Sequence, residues 1–576
     1  MLGGKKMKKR TIIILISIAT LGLYMPSCSD VLDIDNTKDL SDLAMWSTES
    51  AAEMYITAAY KTFTDVSQVA NSRSQFYDSY SDIMKSTSWE TYTHAYNKSL
   101  LQASAFTTGS AGAFECWEDV YTRIRRANVL LDEIKRYGIP KFGEDWCNVR
   151  IAEVRLCRAF SYYRLIRVYG GIIIRTDVSG VNGGVDDGAY EEDIHRARAT
   201  EAESWDFVIN ELKWAAEYLP ESWSDSWTGR ATKKTAYGLI SRMALFAEKW
   251  QDVIDAADKV KELGGELAPD YAKVFQVDGG QDNSSEILFA LYYLSGSVTH
   301  SFDRYNRPFG DKEVYTTDVY AEHVPTGDLA DLYEFSDGTA FNWSTYAADH
   351  ADPYTDREPR FHATVMYNGC QWEGREIQTY VNGTDGFIAF EQSASTGGHT
   401  CTGYYLRKYL QEGNSDFVTK DSYQYDAVLR YAEVLLNKAE AYAQLNYSSY
   451  QSQALGALNE VRTRVGLPDR TATEASTKEA FMTLLRKERC VELAGEGFRY
   501  WDLRRWKLAQ SVINGKNAYG VKITKNTDNT LSYERVACDG GSTRIFSKNI
   551  TISHYLLPKL QITNCVKTIL IGNQNN

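Results

Sequence analysis

The chain has 576 residues, and its 63 Lys and Arg residues against 76 Asp and Glu residues give a formal net charge of −13. Hydrophobic residues make up 43% and charged residues 24%, an ordinary globular balance that argues against wholesale disorder. No strongly basic stretch stands out, so the sequence does not indicate a nucleic-acid-binding protein. The nine Cys residues show no C-x-x-C spacing, which argues against a structural zinc site or a disulfide scaffold.

Tyrosine is unusually abundant. The sequence has 39 Tyr beside 21 Phe and 13 Trp. Because the tyrosine hydroxyl is polar, the excess of Tyr over Phe predicts that many rings keep an edge near water.

The amino terminus has the pattern of a signal peptide. A basic segment at residues 5–10 precedes an apolar run at residues 12–24, which is shorter than the ~20 residues that span a bilayer. Either Met1 or Met7 is compatible with the start of this signal. The run ends in Ser27-Cys28, which resembles a bacterial lipobox, so we predict that residues 1–27 are removed and Cys28 is acylated. Residues 28–45 then form an acidic tether that follows the acylated Cys28. An uncleaved or ordinary secretory signal with an unrelated Cys is the alternative.

Apolar residues recur at helical spacing in two blocks, about 46–265 and 425–510, of a single domain that we expect to span 46–576. Pairs of helices joined by short turns favour helical hairpins stacked as in tetratricopeptide repeats, although no clean repeat consensus is visible. The predicted helices are 51–63, 113–137, 146–169, 201–219, 233–250, 251–263, 429–445, 453–465 and 478–494.

Between about 270 and 425 the helical spacing is lost, and Gly, Asn, Asp, Ser and aromatic residues dominate. Short runs at 286–291 and 364–367 predict strands or loops, and a further strand is predicted at 549–556. So long a segment is rarely a mere linker, and loops on a rigid scaffold often carry function. The predicted fold class is therefore mainly α, with a large loop-rich insertion that we expect to bind a ligand.

Catalytic motifs are scarce: the sequence has no metalloprotease, P-loop, nucleophile-elbow or dinucleotide-binding pattern. Glu488 and Glu492 lie one helical turn apart and are the residue types that a glycosidase needs, but basic neighbours favour an ion-paired helix face. Asp349, Asp352 and Asp356 lack the spacing of a calcium loop, which favours a solvated acidic loop. We predict no catalysis, no metal site and no cofactor.

Several blocks of sequence resemble the SusD/RagB family, in the family's order. The most specific is L-R-K-E-R-C-V-E-L-A-G-E-G-F-R-Y-W-D-L-R-R-W at 485–506, which is similar to the family signature E-R-x-x-E-L-x-x-E-G-x-R-x-x-D-L-x-R-W. The other blocks lie at 158–163, 229–232, 358–360, 407–409, 430–441 and 458–467.

The charged residues of this signature alternate in sign at helical spacing. Such a pattern suits a buried or half-buried ion network, because a guanidinium group pairs with a carboxylate through two hydrogen bonds. Gly495 and Gly497 are predicted to break the helix, with Trp501 and Trp506 packed at the break. We interpret the signature as structural and not as the ligand site; its charged members are Glu488, Arg489, Glu492, Glu496, Arg499, Asp502 and Arg504.

The resemblance implies an outer-membrane lipoprotein on the cell surface, with four tetratricopeptide-like hairpins. It further implies binding of an oligosaccharide or polysaccharide and delivery to a SusC-like TonB-dependent transporter. The composition agrees, since the apolar faces of sugar rings stack on Tyr and Trp. Two alternatives are a tetratricopeptide-type scaffold that binds only proteins and a secreted glycoside hydrolase. The sequence does not specify which glycan is bound.

Aromatic residues in loops are the predicted sugar-stacking residues, although each ring has packing within its loop as an alternative. Trp89 is the first choice, with Tyr92 and Tyr96 beside it, because family members often place such a ring in this early loop. The insertion supplies a second group: Trp343, Tyr346, Trp372 with Arg375 as a hydrogen-bond donor, Tyr404 and Tyr405.

Overall fold

The computed structural model describes residues 44–71, 76–87, 114–178, 196–277, 285–343, 352–388, 399–539, 543–544 and 546. The chain divides into two compact units, residues 1–55 and 56–576. In the first unit, Trp46 contacts Tyr55 edge to face at 6.3 Å, and helix α1, Glu49–Thr57, begins. The predicted signal peptide and Cys28 lie outside the described residues.

The first part of the second unit is helical, as predicted. The helix Glu201–Tyr218 shows how the sequence fixes the start of a helix. The Thr200 hydroxyl accepts from the Glu203 backbone N–H, and the Glu203 carboxylate accepts from the Thr200 N–H. These two hydrogen bonds form a capping box. The elements are α2 Lys61–Thr64, β1 Met84–Ser86, α3 Trp117–Glu133, α4 Ile139–Phe142, α5 Glu144–Tyr169, α6 Glu201–Tyr218, α7 Lys233–Phe246 and α8 Trp250–Glu262.

The insertion contains only short elements, as its composition predicts. They are β2 Ile287–Leu291, α9 Phe302–Asn306, α10 Asp311–Tyr315, β3 His323–Pro325, α11 Gly327–Ala330, α12 Pro359–Thr364, β4 Val365–Met366, β5 Gln371–Trp372, β6 Arg375–Glu376, β7 Tyr405–Leu406 and α13 Asp416–Thr419.

The last part returns to helices and ends in a hairpin of two strands. Helix α14, Tyr431–Arg464, is divided by non-helical backbone at Asn446 and Tyr450. This division agrees with the two separate helices predicted at 429–445 and 453–465. The predicted start at residue 429 is wrong, because Leu429 and Arg430 pair with β2 and belong to a strand. The hairpin was not predicted, and the predicted strand at 549–556 lies outside the described residues. The elements are β8 Asp426–Arg430, α14 Tyr431–Arg464, α15 Lys478–Glu492, α16 Arg499–Arg505, α17 Ala509–Ile513, β9 Tyr519–Lys525 and β10 Leu531–Ala537.

The long helices pack in series: α3 on α5, α5 on α6, α6 on α7, α7 on α8, α8 on α14 and α14 on α15. The strands form separate antiparallel pairs, β1 with β3, β2 with β8, β4 with β7, β5 with β6 and β9 with β10. This arrangement confirms a mainly α, tetratricopeptide-like fold with a loop-rich insertion. None of the helices in the described part of the chain has both the length and the apolar character that crossing a bilayer requires.

Two hydrophobic cores fill the second unit, one among the helices and one within the insertion. The prediction that many Tyr rings keep an edge near water is wrong for a large group of tyrosines, because these rings pack in the two cores. Several bind a backbone carbonyl there; the Tyr162 hydroxyl, for example, donates to the Arg175 oxygen at 2.7 Å. The described cysteines are free thiols and all except Cys116 are buried, as expected of small apolar side chains.

A buried ion network joins the helices to the insertion. Glu492, at the end of α15, is fully buried, and its carboxylate lies 2.6 Å from Arg464, 3.1 Å from Arg430 and 3.1 Å from Arg360. Burial alone raises the pKa of Glu492, but the positive charges of these three arginines hold that pKa well below its ordinary value. The carboxylate therefore stays ionised inside the protein.

The network extends on both sides of Glu492. Glu496 lies 2.7 Å from Arg430 and 2.6 Å from Lys408, and Glu488 lies 2.6 Å from Arg360 and 2.8 Å from Arg462. The predicted ion pairing of Glu488 and Glu492 is thus confirmed, but their partners come from distant segments and not from their own helix. The buried ion network predicted for the signature is confirmed by these contacts.

We expect Glu492→Gln to lower the free energy of unfolding by about 3–5 kcal/mol, because it leaves buried arginines without their counter-charge. Urea denaturation measures this loss. Glu262→Gln is the control, since Glu262 pairs with Lys259 on the surface of α8, where both side chains are more than half exposed. Equal stability of the two variants would contradict the central role of Glu492.

Candidate functional site

The insertion carries two of the three exposed aromatic rings in the described part of the chain. Tyr218, Tyr292 and Tyr320 are the exposed rings in the described part of the chain, with exposed fractions of 36, 46 and 39%. Tyr320 is paired with Tyr305 of α9, with ring centroids 5.5 Å apart and planes inclined by 30°. Tyr305 is half-buried, so Tyr320 is the member of the pair that faces solvent.

The backbone places Tyr320 near Thr87, the residue after β1. Strand β1 pairs with β3, and the next residue, Thr87, continues the contact: its N–H donates to the Glu322 oxygen at 2.8 Å and its hydroxyl donates to the Ala321 oxygen at 2.7 Å. Ala321 follows Tyr320 directly. Residues 88–113, which contain the predicted platform Trp89, therefore leave the described structure next to Tyr320.

Ala321 has a strained backbone, with a φ of 43° in the left-handed region that a residue with a Cβ rarely adopts. This conformation turns the chain between the exposed Tyr320 and the buried strand β3. Strained residues of this kind persist where the surrounding structure requires them, often at binding sites.

The turn of the family signature holds the segment that precedes β1. Asp78 is buried, and its carboxylate accepts from the backbone N–H groups of Gly495 at 2.8 Å, Gly497 at 3.1 Å and Arg499 at 3.1 Å. Both glycines have positive φ, 79° and 80°, and so break the helix as predicted. Arg499 adds a bidentate pair with Asp82, with N–O distances of 2.8 and 2.7 Å.

The predicted glycan residues fall into three groups. Trp89, Tyr92, Tyr96 and Tyr346 lie outside the described residues and stay predictions. Trp343 is half-buried: its Nε1 donates to Asp331 Oδ1 at 2.8 Å, and its ring lies edge to face against Phe341 at 5.2 Å. It also stays a prediction.

The third group is wrong, because the rings lie in the core of the insertion. Trp372, Tyr404 and Tyr405 are at most 1% exposed and have no face for a sugar. The Trp372 Nε1 donates to Asp311 at 2.9 Å, and Arg375 is bound by Asp311 at 2.8 Å and Asp385 at 2.6 Å. The guanidinium of Arg375 is therefore engaged by carboxylates and does not serve as the predicted donor.

A cleft of 260 Å³ lies beside α12, with His362, Arg407 and Glu412 among its lining residues. Its aromatic members, Phe275, Trp372 and Tyr409, are 3, 1 and 2% exposed, so their faces are covered. The cleft lacks an open ring, which makes it a poorer sugar platform than the Tyr305–Tyr320 pair.

Of the acidic residues noted in the sequence, Glu488, Glu492 and Asp352 have partners within the protein, and Asp349 lies outside the described residues. Glu488 and Glu492 are buried among arginines, whereas a glycosidase needs two carboxyl groups across a sugar. The carboxylate of Asp352 accepts from the Tyr354 backbone N–H at 2.9 Å and so stabilises a turn. Within the described ranges, no group of three or more His, Cys, Asp or Glu side chains converges as metal ligands do.

Sequence reasoning missed Tyr305 and Tyr320. Both lie inside the predicted loop-rich insertion, but no local pattern distinguishes them from the buried tyrosines nearby. Only the pairing of β1 with β3, two segments more than 200 residues apart, brings them near Thr87 at the end of β1.

The described residues form a helical scaffold with a loop-rich insertion that carries the exposed ring of Tyr320. The chain belongs to the SusD family: sequence models described as "SusD family" and "Starch-binding associating with outer membrane" match residues 285–561 and 30–245. A SusD-like protein P2 from Formosa agariphila is 26% identical over 74% of this chain and 77% of its own. A SusD-like protein from Bacteroides fragilis superposes with a TM-score of 0.70 at 26% identity, covering 88% of this chain and 94% of its own. A SusD-like carbohydrate binding protein from the same species has a TM-score of 0.73 at 23% identity, covering 90 and 99%.

We expect Asp78 to make stability depend on pH. Burial raises the pKa of Asp78 from 3.8 to about 6 in the folded protein, against the effect of its three N–H donors. The folded state therefore binds a proton more tightly than the unfolded state, and this group stabilises the fold more as the pH falls from 7 to 5. The Asp78→Asn variant cannot titrate at this position. Relative to that variant, the free energy of unfolding of the wild type should increase by about 1 kcal/mol as the pH falls from 7 to 5. Urea denaturation of both proteins at pH 7, 6 and 5 measures the gain, and a constant difference would contradict it.

Proposed function

We propose that this protein captures a glycan at the cell surface, with Tyr305, Tyr320 and Trp89 as its stacking residues. The observation on which the proposal rests is the exposed ring of Tyr320, which packs against the half-buried Tyr305 and is next in sequence to Ala321, a contact of Thr87. Membership of the SusD family supports it, as does the likeness to the Bacteroides fragilis protein described as carbohydrate binding. Trp343 is retained as a further contact.

The chemistry of the surface suits a sugar. A pyranose ring has an apolar C–H face that packs on an aromatic ring, and hydroxyl groups at its edge that need polar partners. Asp318, two residues before Tyr320, is exposed and pairs with Lys312 at 2.8 Å, so polar groups of both signs lie near the rings in sequence. By analogy with base stacking, one ring contributes about 1–3 kcal/mol.

We expect Tyr320→Ala and Trp89→Ala each to weaken glycan binding about tenfold or more, with little change in melting temperature, because each removes a stacking face. Affinity electrophoresis against plant, host and microbial polysaccharides identifies the ligand, and calorimetry then gives the affinities. Tyr218→Ala is a matched control: Tyr218 is 36% exposed and packs on Trp214 at 4.4 Å, but it lies on helix α6.

Loss of binding in Tyr218→Ala and not in Tyr320→Ala would place the site on the helices and contradict the assignment. If no polysaccharide retards the protein in affinity electrophoresis, the alternative of a scaffold for protein partners would be favoured.

Binding without bond cleavage is part of the proposal. It is supported by the burial and ion pairing of Glu488 and Glu492. Release of reducing ends from the bound glycan by the purified protein would instead establish the glycoside hydrolase alternative.

The proposal extends to location and partner. Residues 1–27 act as a signal peptide, Cys28 carries the lipid, and the protein lies on the outer membrane facing the exterior. The family description "associating with outer membrane" supports this location. A SusC-like TonB-dependent transporter receives the glycan. If this protein covers the transporter's channel as a lid, the two proteins would bury more surface area than a standard protein–protein interface does.

We expect Cys28→Ala to remove the protein from the outer-membrane fraction of cells that lack the transporter, because stable anchoring requires attached acyl chains. Fractionation and immunoblotting measure this change. In mild detergent, the wild type from complete cells should be purified together with a large barrel protein. Unchanged fractionation would contradict the lipid anchor, and recovery as a monomer would contradict the partnership.

A further inference from the structure

Tyr292 is the most exposed of the three exposed rings in the described part of the chain, and the site proposed above does not use it. Its exposed fraction is 46%, against 39% for Tyr320. The ring packs on the backbone of Gly229, where an added Cβ would lie 3.1 Å from it and where the φ of 93° also favours glycine. Tyr292 therefore lies against the loop at residues 221–229, which precedes helix α7.

This loop carries two tryptophans that share one guanidinium. The central carbon of Arg230 lies 4.5 Å from the ring centroid of Trp223 and 4.9 Å from that of Trp227. Arg230 is buried, and its Nε donates to the fully buried Glu153 at 2.7 Å. The Trp223 Nε1 donates to the Ala231 oxygen at 2.8 Å. The contacts of Arg230 and Trp223 therefore hold the loop in one conformation before any ligand binds.

Helix α7 connects the loop to the strand that precedes Tyr292. The loop leads into Thr232, the N-cap of α7, and the hydroxyl of Thr235 in the first turn donates to the Leu288 oxygen of β2 at 2.8 Å. Tyr292 follows the last residue of β2. The same turn of one helix thus supports the loop with Trp227 and the strand that ends at Tyr292.

The chemistry of this surface suits a sugar. Trp227 is half-buried, and within the described ranges no hydrogen bond engages its Nε1 or the hydroxyl of Tyr292. Exposed hydroxyl side chains surround Trp227 in the sequence, at Ser224, Ser226 and Thr228. Aromatic faces with polar groups at their edges match a pyranose ring, which has an apolar C–H face and hydroxyl groups at its edge.

From these contacts we infer that Trp227 and Tyr292 form a second glycan-binding surface, which contacts the same polysaccharide as Tyr320 at other sugar units. A second contact on one chain is intramolecular, so it raises the affinity for a long chain but not for a short one. The protein therefore selects long polysaccharides over short oligosaccharides. The inference rests on the proposed function, because it assumes that the ligand is a glycan.

Tyr292→Ala is the first test variant, since removal of an exposed ring has little effect on the fold. Affinity electrophoresis measures binding of the intact polysaccharide, and calorimetry measures binding of a trisaccharide released from it. We expect Tyr292→Ala and Trp227→Ala each to weaken polysaccharide binding about fivefold or more, while the Tyr320 site still binds the trisaccharide with the wild-type affinity. Where Trp227→Ala lowers the melting temperature, Tyr292→Ala alone decides.

Leu294→Ala is the matched control. Leu294 is 62% exposed, and its N–H donates to the Val298 oxygen at 2.8 Å in the turn that follows Tyr292, but its side chain is aliphatic. This variant should bind both ligands as the wild type does. Unchanged polysaccharide binding in Tyr292→Ala overturns the inference. An equal loss in Leu294→Ala also overturns it, since that result would indicate an apolar surface for a protein partner.

The outcomes also distinguish the inference from the proposed function. If Tyr320→Ala weakens polysaccharide binding while Tyr292→Ala does not, the proposed site stands and the inference fails. If Tyr292→Ala weakens it while Tyr320→Ala does not, the site at Tyr320 fails and the surface at Tyr292 stands. If no polysaccharide retards the wild type, both fail.

Discussion

Glu492 lies inside the protein with no exposed surface, and three arginines from three different segments surround its carboxylate. A buried carboxylate is costly unless cations compensate it, so the fold forms only when these segments meet. Arg360 comes from the insertion, Arg430 from the end of β8 and Arg464 from the end of α14. One interaction thus requires the insertion, a strand and two long helices to reach their final positions together.

The signature turn connects this network to the candidate site. Glu496 takes part in the network, while the glycines on either side of it expose backbone N–H groups that bind Asp78. A Cβ on Gly497 would lie 2.7 Å from the side chain of Gln68, so the close approach also favours glycine there. Residues that identify the fold therefore also hold the start of the segment that leads to Trp89.

The sequence predicted the long helices well because their apolar spacing is a local property, as in α5 and α15. The sequence-based predictions were wrong where contacts with a distant segment determine the local structure or the burial of a side chain. Leu429 and Arg430 continue a helical pattern but form a strand, since β2 offers them backbone partners. Trp372, Tyr404 and Tyr405 occur in a loop-like composition but pack in a second core. Glu488 and Glu492 were correctly interpreted as ion-paired, whereas their partners were not predicted.

The sequence by itself determined the mainly α architecture, the loop-rich insertion and the family, because helical periodicity and an ordered set of charged blocks can be read along the chain. The tertiary structure decided which rings face solvent and which charges meet. Composition alone does not distinguish the exposed tyrosines of the insertion from the buried ones. Exposure depends instead on the pairing of β1 with β3, which leaves Tyr320 at the surface, and on the core around Trp372, which covers its neighbours. Long-range packing makes that distinction, since the burial of a side chain is a property of all the segments around it.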